Sequence, residues 1–338
     1  MAAINEYIEP LLRGENLTFE QAQKLLDVIF EGQVPEPQIA AFLTAMRCKP
    51  VTAPELAGLA KSLREHAVKV DAGIDNLVDT CGTGGAAVKT FNISTAAALV
   101  AAGAGVHVAK HGNRGITSKC GSADVLAELG VNIEAGPDIV ARCIREAGIG
   151  FMFAPKFHPA MKYVQPVRKT LGFRTVFNFL GPLANPAGAT AQVMGVADQT
   201  LMPVVAEALN MLGVRRAMIV HSSGLDEIST MGPTEITELK AGKLAKWTLK
   251  PDDYGLKSTT LETLAGGDAK YNAEIVKNIL SGKDKGPRKD IVVLNTAAAI
   301  MVGGLAKDFA SALGMAGQSI DTGAAIHRLE TMVNVSKT

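Results

Sequence analysis

Residues 81–95, CGTGGAAVKTFNIST, combine a nearly bare backbone with several small hydrogen-bond donors. Gly82, Gly84 and Gly85 carry no side chains, so an anion can touch the peptide N–H groups directly. The alanine-rich run that follows predicts a helix, whose N-terminus adds free N–H groups and the positive end of a dipole. These features are typical of a phosphate-binding turn. The same glycines could equally close a tight turn without binding anything, so a second signal has to decide.

That second signal is a cationic turn further along the chain. Residues 110–119, KHGNRGITSK, hold three lysine or arginine side chains, an asparagine and two hydroxyl side chains. A solvated surface loop would explain the charges, but it explains less readily the glycines and the asparagine among them. Because the carboxyl ends of neighbouring parallel strands lie at one edge of a sheet, both turns are expected to face one crevice. Two such turns suit a ligand with two separate phosphate groups.

Two familiar nucleotide-binding motifs fit this part of the chain poorly. The P-loop pattern G-x-x-x-x-G-K-[ST] is absent, since Val88 rather than glycine precedes the Lys-Thr pair. The run from Gly82 to Ala87 satisfies the looser dinucleotide pattern, but that motif expects an acidic residue about 20 positions further on. The chain has the basic segment 109–111 at the end of the next predicted strand. Neither a nucleoside triphosphatase nor a dehydrogenase is therefore favoured.

Two adjacent carboxylates, Asp226 and Glu227, follow another predicted strand. Beside a polyphosphate such a pair is typical of Mg²⁺ sites, because this hard cation keeps several waters and bridges a few carboxylates to phosphate oxygens. Taken alone, an Asp-Glu pair after a strand is more often a helix start, where the dipole stabilises negative charge. Its occurrence together with two phosphate-binding turns favours the metal.

The pattern of apolar residues differs between the first seventy residues and the rest of the chain. In the first seventy residues, apolar positions repeat at helical spacing, and capping-box patterns at Thr18 and Thr52 mark helix starts. From Gly73 onward, short apolar runs alternate with helical patterns, which predicts a largely parallel sheet covered by helices. An antiparallel hairpin is predicted at 235–249. Strands are predicted at 76–79, 105–108, 149–153, 191–196 and 217–220, and the clearest helices at 122–129, 138–147, 201–212, 269–280 and 291–304.

The expected fold is therefore α/β, with a small helical N-terminal domain at 1–70 and a larger α/β domain at 74–338 built on a mostly parallel central sheet. With 338 residues, 47% of them hydrophobic, the chain can bury a substantial core and is not disordered. A formal net charge of +1 argues against nucleic acid or a membrane as a partner. Four scattered cysteines, without a C-x-x-C pair, and no leader-like start predict a cytoplasmic protein.

Seven short motifs spread over most of the chain carry a family resemblance: DTCGTGG at 79–85, FNIST at 91–95, KHGNR at 110–114, GSADVL at 121–126, PVRK at 166–169, FNFLGPLANP at 177–186 and GLDE at 224–227. Together they resemble the anthranilate phosphoribosyltransferase family. The resemblance implies a helical domain completed by part of 160–185, and an α/β domain of the phosphoribosyltransferase and nucleoside phosphorylase type. It also implies a homodimer formed mainly through the helical part, two Mg²⁺ ions per subunit, and transfer of phosphoribose from phosphoribosyl pyrophosphate to anthranilate.

The resemblance further implies roles for individual residues. No catalytic acid or base is implied, and an aromatic amine, being neutral at pH 7, needs positioning more than a base. A carboxylate such as that of anthranilate suits a guanidinium, because a charge-assisted pair is short and strong. Magnesium would be held by Ser94, Asp226 and Glu227. Anthranilate would contact Gly82, Asn113 and Arg168. Phosphoribosyl pyrophosphate would be held by Gly82, Gly84, Gly85, Ala86, Thr90, Asn92, Ile93, Ser94, Thr95, Lys110, His111, Gly112, Asn113, Arg114, Thr117, Ser118 and Ser122.

One position departs from the family pattern. The family's glycine turn usually continues Gly-Gly-Asp, whereas this chain has Ala86, so a carboxylate near the ribose and the metal is missing. Its loss either changes how magnesium is engaged or is tolerated because backbone N–H groups make the phosphate contacts.

Two other functions remain as alternatives. A pyrimidine nucleoside phosphorylase shares the general architecture, but the KHGNR motif at 110–114 differs from the lysine-serine phosphate turn of that family. A non-catalytic relative that binds nucleic acid is supported only by Ala86. The balanced charge and the retained pair Asp226 and Glu227 argue against it.

Overall fold

Four helices form the N-terminal part of the computed structural model, which describes residues 4–85, 89–115 and 119–338: α1 (Asn5–Leu12), α2 (Phe19–Phe30), α3 (Glu36–Arg47) and α4 (Ala53–Glu65). The start of α2 is a capping box, in which the Thr18 N–H donates to Gln21 Oε1 at 2.9 Å and the Gln21 N–H donates to the Thr18 hydroxyl at 3.2 Å. At the start of α4 the Thr52 N–H donates to Glu55 Oε2 at 2.9 Å. These bonds satisfy amides that a helix leaves free, so both predicted helix starts are confirmed.

The remainder of the chain is built on a seven-stranded sheet: β1 (Val78–Gly82), β2 (Val108–Gly112), β3 (Ile149–Phe153), β4 (Ala191–Gly195), β5 (Arg216–His221), β6 (Thr234–Lys240) and β7 (Lys243–Leu249). The strand order is β3-β2-β1-β4-β5-β6-β7, in which β1 to β5 are parallel and β6 and β7 are antiparallel. The order reverses between β1 and β4, which opens a crevice at their carboxyl ends. Gly82 pairs with Gly195 at this point.

Helices cover both faces of the sheet. Alternate residues of β5 enter different cores: Met218 and Val220 pack in one, while Ala217 and Ile219 pack in the other, which also contains the N-terminal helices. Burial on both faces is typical of parallel strands in α/β proteins. The helices after β1 are α5 (Ile93–Gly103), α6 (Ser122–Glu128), α7 (Pro137–Ala147), α8 (Ala154–Phe157), α9 (Gln165–Leu171), α10 (Phe177–Leu183), α11 (Met202–Met211), α12 (Leu261–Leu264), α13 (Ala269–Leu280), α14 (Pro287–Val302), α15 (Phe309–Asp321) and α16 (Ala324–Ser336), with 3₁₀ turns at Pro159–Tyr163, Gln199–Leu201 and Pro251–Tyr254.

The N-terminal helices pack against elements from later in the chain. Helix α3 contacts α9, and α4 contacts α10 and α11. Arg64 of α4 ties these elements together, since its Nε donates to the carbonyl oxygen of Leu183 at 2.6 Å and its Nη1 to that of Leu212 at 3.2 Å. The expected α/β fold with a helical N-terminal part is confirmed, while the domain bounds at residues 70 and 74 stay a prediction. None of the described helices is long and apolar enough to cross a bilayer.

Two strand predictions were wrong in their bounds. The strands predicted at 76–79 and 105–108 begin and end later, as β1 and β2. The cause is a set of buried polar residues near the centre of the sheet, which interrupts the apolar runs: Asp79, Thr80 and Lys110 are at most 3% exposed. As a result Gly82 and the start of the KHGNR motif belong to strands and not to the turns that follow them.

Candidate functional site

The glycine turn after β1 is shaped by a close approach of Asp226. Gly84 and Gly85 have φ angles of +64° and +76°, which residues with side chains rarely adopt. The Gly84 N–H donates to Asp226 Oδ2 at 3.1 Å. A Cβ atom on Gly82 would lie 2.5 Å from the same oxygen, and one on Gly195 would lie 1.6 Å from the Asp226 carbonyl oxygen. Glycine is therefore required at the ends of β1 and β4 for Asp226 to reach the turn.

Helix α5 presents its N-terminus to the same crevice. The side chain of Asn92, which precedes the helix, does not cap it; its Oδ1 accepts a hydrogen bond from Asn272 Nδ2 at 2.9 Å instead. Asn92 therefore does not cap the first turn, but the Ile93 N–H donates to the Phe91 carbonyl oxygen at 2.8 Å and the Ser94 N–H donates to the Glu227 carboxylate, so a ligand at these two amides would have to displace those acceptors. The Thr95 hydroxyl is buried and has no hydrogen-bond partner among the described residues. Buried hydroxyls are normally hydrogen-bonded, so this one points to a ligand.

The second turn carries less free positive charge than its sequence suggests. Lys110 lies within β2, 2% exposed, and its Nζ donates to the Thr80 carbonyl oxygen at 2.5 Å. Burial lowers the pKa of Lys110, and the nearby Asp79 carboxylate partly opposes that shift. Arg114 is more exposed, with its Nη1 3.0 Å from Asp124 Oδ1. Arg114 is thus better placed than Lys110 to meet a ligand by exchanging partners.

Both turns line a single cavity of about 320 Å³ at the carboxyl ends of β1 and β2. The sequence-based expectation that they face one crevice is therefore met. The residues predicted to bind phosphoribosyl pyrophosphate that line this cavity are Gly82, Gly84, Gly85, Asn92, Ser94, Thr95, Lys110, His111, Gly112, Asn113, Arg114 and Ser122. Gly82 and Asn113, predicted to contact anthranilate, are among them.

Other predicted site residues lie elsewhere. Thr90 forms a β-bridge with Ala265, and the Ile93 side chain is buried in the core. Arg168, on α9, donates to Gln165 Oε1 at 3.2 Å and does not line the cavity. The structure thus does not bring the predicted anthranilate arginine to the other two anthranilate residues. The predictions for Ala86, Thr117 and Ser118 fall outside the described residues.

Sequence reasoning missed six lining residues: Cys81, Thr83, Gly115 and Gly121, which lie in or beside the predicted turns, and Arg174 and Asn178, which lie far from them in the sequence. Asn178 lies inside the FNFLGPLANP motif at 177–186, and Arg174 comes just before it. The motif was recognised, but nothing in its spacing indicates that the start of α10 reaches the glycine turn across the crevice. The one available signal was a cationic residue, Arg174, three positions before the start of this motif.

Of the predicted magnesium residues, Ser94 lines this cavity, Asp226 contacts the glycine turn, and Glu227 lines an adjoining small cavity together with Ser94. Glu227 is only partly exposed, and the backbone of Ser94 hydrogen-bonds its carboxylate. Burial, followed by repulsion from Asp226, raises the pKa of Glu227 to about 8. Two carboxylates that repel each other near a hydroxyl form a donor set suited to a hard cation. Within the described ranges, no group of three His, Cys, Asp or Glu side chains could hold a metal by itself.

Comparisons with known proteins agree with this geometry. A family model described as "Glycosyl transferase family, helical bundle domain" matches residues 5–67, and one described as "Glycosyl transferase family, a/b domain" matches residues 74–326. The anthranilate phosphoribosyltransferase of Chloroflexus aggregans is 51% identical over 338 residues, covering 99% of this chain and 98% of the relative. That of Methanocorpusculum labreanum is 49% identical over 334 residues, covering 98% of each chain.

Solved structures extend the match to three dimensions. The crystal structure of anthranilate phosphoribosyltransferase from Thermus thermophilus superimposes with a TM-score of 0.93 at 40% identity, covering 98% of this chain and 99% of that one. The enzyme from Saccharomyces cerevisiae in complex with PRPP and Mg superimposes with a TM-score of 0.89 at 30% identity, covering 99% and 98%. These relatives match nearly the whole chain, and the cavity lined by both phosphate turns lies where the strand order of the sheet reverses. The chain therefore belongs to the anthranilate phosphoribosyltransferase family.

Proposed function

We propose that the protein transfers the phosphoribosyl group of phosphoribosyl pyrophosphate to the amine of anthranilate, yielding phosphoribosyl anthranilate and pyrophosphate. This reaction is the second step from chorismate toward tryptophan. The observation that supports the proposal is the cavity where a bare glycine turn, the N-terminus of α5 and an arginine-bearing turn meet. Such a site suits a sugar with phosphate at both ends. The yeast relative in complex with PRPP and Mg supports the same ligand.

Phosphate would be held mainly by the backbone of the chain. One phosphate group would lie at the start of α5, where the buried Thr95 hydroxyl would gain the partner that it lacks among the described residues. Arg114 would bind a second phosphate after leaving Asp124. Breaking the bond from ribose C1 to pyrophosphate builds negative charge on the leaving group, so donors fixed in advance at this position lower the barrier.

We assign magnesium to Ser94, Asp226 and Glu227, with two ions per subunit. The residues fit such a group because burial, followed by repulsion from Asp226, raises the pKa of Glu227, and a bound cation would offset both effects. When bound, magnesium supplies Lewis-acid stabilisation of the leaving pyrophosphate. Asp226 Oδ2 also accepts a hydrogen bond from the Gly84 N–H at 3.1 Å.

Anthranilate would lie above Gly82 and Asn113, and its carboxylate would be met by Arg168. Because Arg168 lies outside the cavity, this contact requires the helical part to close over the α/β part. We name no general base, since the amine of anthranilate is neutral at pH 7 and reacts once it is positioned. We further propose a cytoplasmic homodimer that pairs mainly through the N-terminal helices.

The test is the loss of anthranilate fluorescence with and without phosphoribosyl pyrophosphate and Mg²⁺. Consumption that requires both additions is expected. Absence of consumption would reject the proposal, and two further assays identify the alternative. Phosphorolysis of thymidine would indicate a nucleoside phosphorylase, and a salt-dependent DNA mobility shift would indicate a nucleic-acid-binding relative.

A further inference from the structure

Arg174 lies in the wall between two cavities. It follows α9, precedes α10, and is exposed. It lines the cavity of about 320 Å³ that contains both phosphate turns, and it also lines a neighbouring cavity of about 580 Å³. Across the described residues, no carboxylate lies within ion-pair distance of its guanidinium: the ion pairs found there do not include Arg174.

The guanidinium of Arg174 is instead bonded to the carbonyl groups of the glycine turn. Its Nη2 donates to the Gly84 carbonyl oxygen at 3.1 Å, and its Nη1 donates to the Gly85 carbonyl oxygen at 3.4 Å. Its Cζ lies 5.9 Å from the centre of the Phe179 ring, which supports the guanidinium from α10. A Cβ atom on Gly85 would lie 1.9 Å from Nη1, so this approach requires glycine.

The two bonds have an electrostatic consequence for the turn. A carbonyl and the next residue's N–H belong to one peptide unit, so a cation on the carbonyl oxygen polarises that N–H and strengthens it as a donor. Gly84 and Gly85 have left-handed φ angles and no side chains, so their peptide planes are restrained by contacts such as these and by the bond from the Gly84 N–H to Asp226 Oδ2.

We propose that Arg174 is a positioning residue for phosphoribosyl pyrophosphate: its guanidinium holds the carbonyls of Gly84 and Gly85, and the Gly85 N–H, which shares a peptide unit with the Gly84 carbonyl, is thereby fixed in place for the phosphate. The inference rests on the proposed function for the identity of the ligand. It adds a side chain from the segment between α9 and α10 to the phosphate site.

The first test compares Arg174→Ala, Arg174→Lys and the matched control Arg215→Ala. Arg215 is likewise exposed and donates to a backbone carbonyl, that of Asp75, but it precedes β5 at the opposite end of the strands. Calorimetry in Mg²⁺ should give about a tenfold higher Kd for phosphoribosyl pyrophosphate in Arg174→Ala, the size expected for loss of hydrogen bonds from a charged group at an exposed site. Arg174→Lys keeps the positive charge but loses the planar guanidinium, so its Kd for phosphoribosyl pyrophosphate should lie between those of Arg174→Ala and the wild type. The KM for anthranilate should change less than about twofold, since its proposed contacts are kept.

A second readout needs no ligand. Hydrogen exchange at the amides of Gly84 and Gly85 should be faster in Arg174→Ala than in the wild type or in Arg215→Ala, because the turn loses its restraint. Unchanged exchange together with an unchanged Kd in Arg174→Ala would overturn the inference, as would an equal loss in Arg215→Ala. If the wild type itself fails to bind phosphoribosyl pyrophosphate, the proposed function fails. Faster exchange in Arg174→Ala alone would then still support the restraint of the turn.

A double-mutant cycle checks the contact itself. Gly85→Ala in the wild type should suffer both from the strained φ angle and from overlap with Arg174, whereas in Arg174→Ala only the strain remains. The Gly85→Ala substitution should therefore lower the melting temperature less in the Arg174→Ala background. Purely additive effects of the two substitutions would contradict the contact.

Discussion

At the scale of single residues, protonation of Glu227 makes the charge of the site depend on pH. Its pKa is raised to about 8 by burial and by repulsion from Asp226, so the carboxyl group is mostly protonated at pH 7. The unfolded chain ionises this group near 4.5, so the folded protein holds the extra proton between pH 4.5 and about 8. Over that range the contribution of Glu227 to stability falls as the pH rises.

The first prediction is that Mg²⁺ binding to the ligand-free protein at pH 7 releases about one proton, because the metal selects the ionised carboxylate. Apparent Mg²⁺ affinity should rise by up to about tenfold per pH unit below pH 8 and then level off. Calorimetry in two buffers of different ionisation enthalpy measures the proton. Glu227→Gln serves as the control and should release none. Equal affinities at pH 6.5 and 8.5 would contradict the assignment.

At the scale of elements, the ends of β1 and β4 are joined to the loop after β5 through Asp226. The second prediction concerns Gly195→Ala, whose Cβ would overlap the Asp226 carbonyl oxygen at 1.6 Å. The loop must move, so we expect a loss of roughly 1–3 kcal/mol in the free energy of unfolding and weaker binding of Mg²⁺ with phosphoribosyl pyrophosphate.

The matched control for Gly195→Ala is Gly314→Ala. Gly314 lies within α15 with no atom within 4 Å of a Cβ at this position, so alanine there should raise stability by up to about 1 kcal/mol. Thermal unfolding and calorimetry measure both variants. If Gly195→Ala proved as harmless as Gly314→Ala, the close approach of Asp226 would not matter to the site.

The same elements show what the sequence could and could not predict. Helix starts at Thr18 and Thr52 were predictable because a capping box is local, and the shared crevice was predictable because parallel strands end at one edge. The ends of β1 and β2 were not, since Lys110 is buried through a partner thirty positions away, which no apolar run reveals. Arg174 was missed for the same reason: its contacts with Gly84 and Gly85 exist only once α10 is folded against the sheet.

At the scale of the whole molecule, Arg168 lies outside the cavity, so its proposed contact with anthranilate requires the helical part to close over the α/β part. Arg168 stacks over Phe177 with its Cζ 5.5 Å from the ring centre. The third prediction is that Arg168→Ala lowers kcat/KM for anthranilate by about tenfold to a hundredfold and leaves phosphoribosyl pyrophosphate binding unchanged. The size of the loss is that expected for one hydrogen bond to a charged group. Steady-state kinetics with each substrate varied measures both, and equal losses would reject the assignment.

The fourth prediction is that the molecule becomes more compact when both ligands are bound, because closure is what carries Arg168 to the cavity. Small-angle scattering of the protein alone, with one ligand and with both should show the smallest radius of gyration in the last case. An unchanged radius with both ligands bound would remove the route by which Arg168 reaches anthranilate.

The edges of the sheet have a bearing on how copies of the protein can meet. β7 forms one edge and is exposed along most of its length, with Lys243 and Lys246 on it, while β3 at the other edge is buried throughout. Lysines on an open edge discourage a neighbour from docking there as an extra strand, because their charges would be crowded together and stripped of water. We therefore expect that the protein at high concentration does not aggregate through edge-to-edge strand pairing, and that any stable dimer forms through helices.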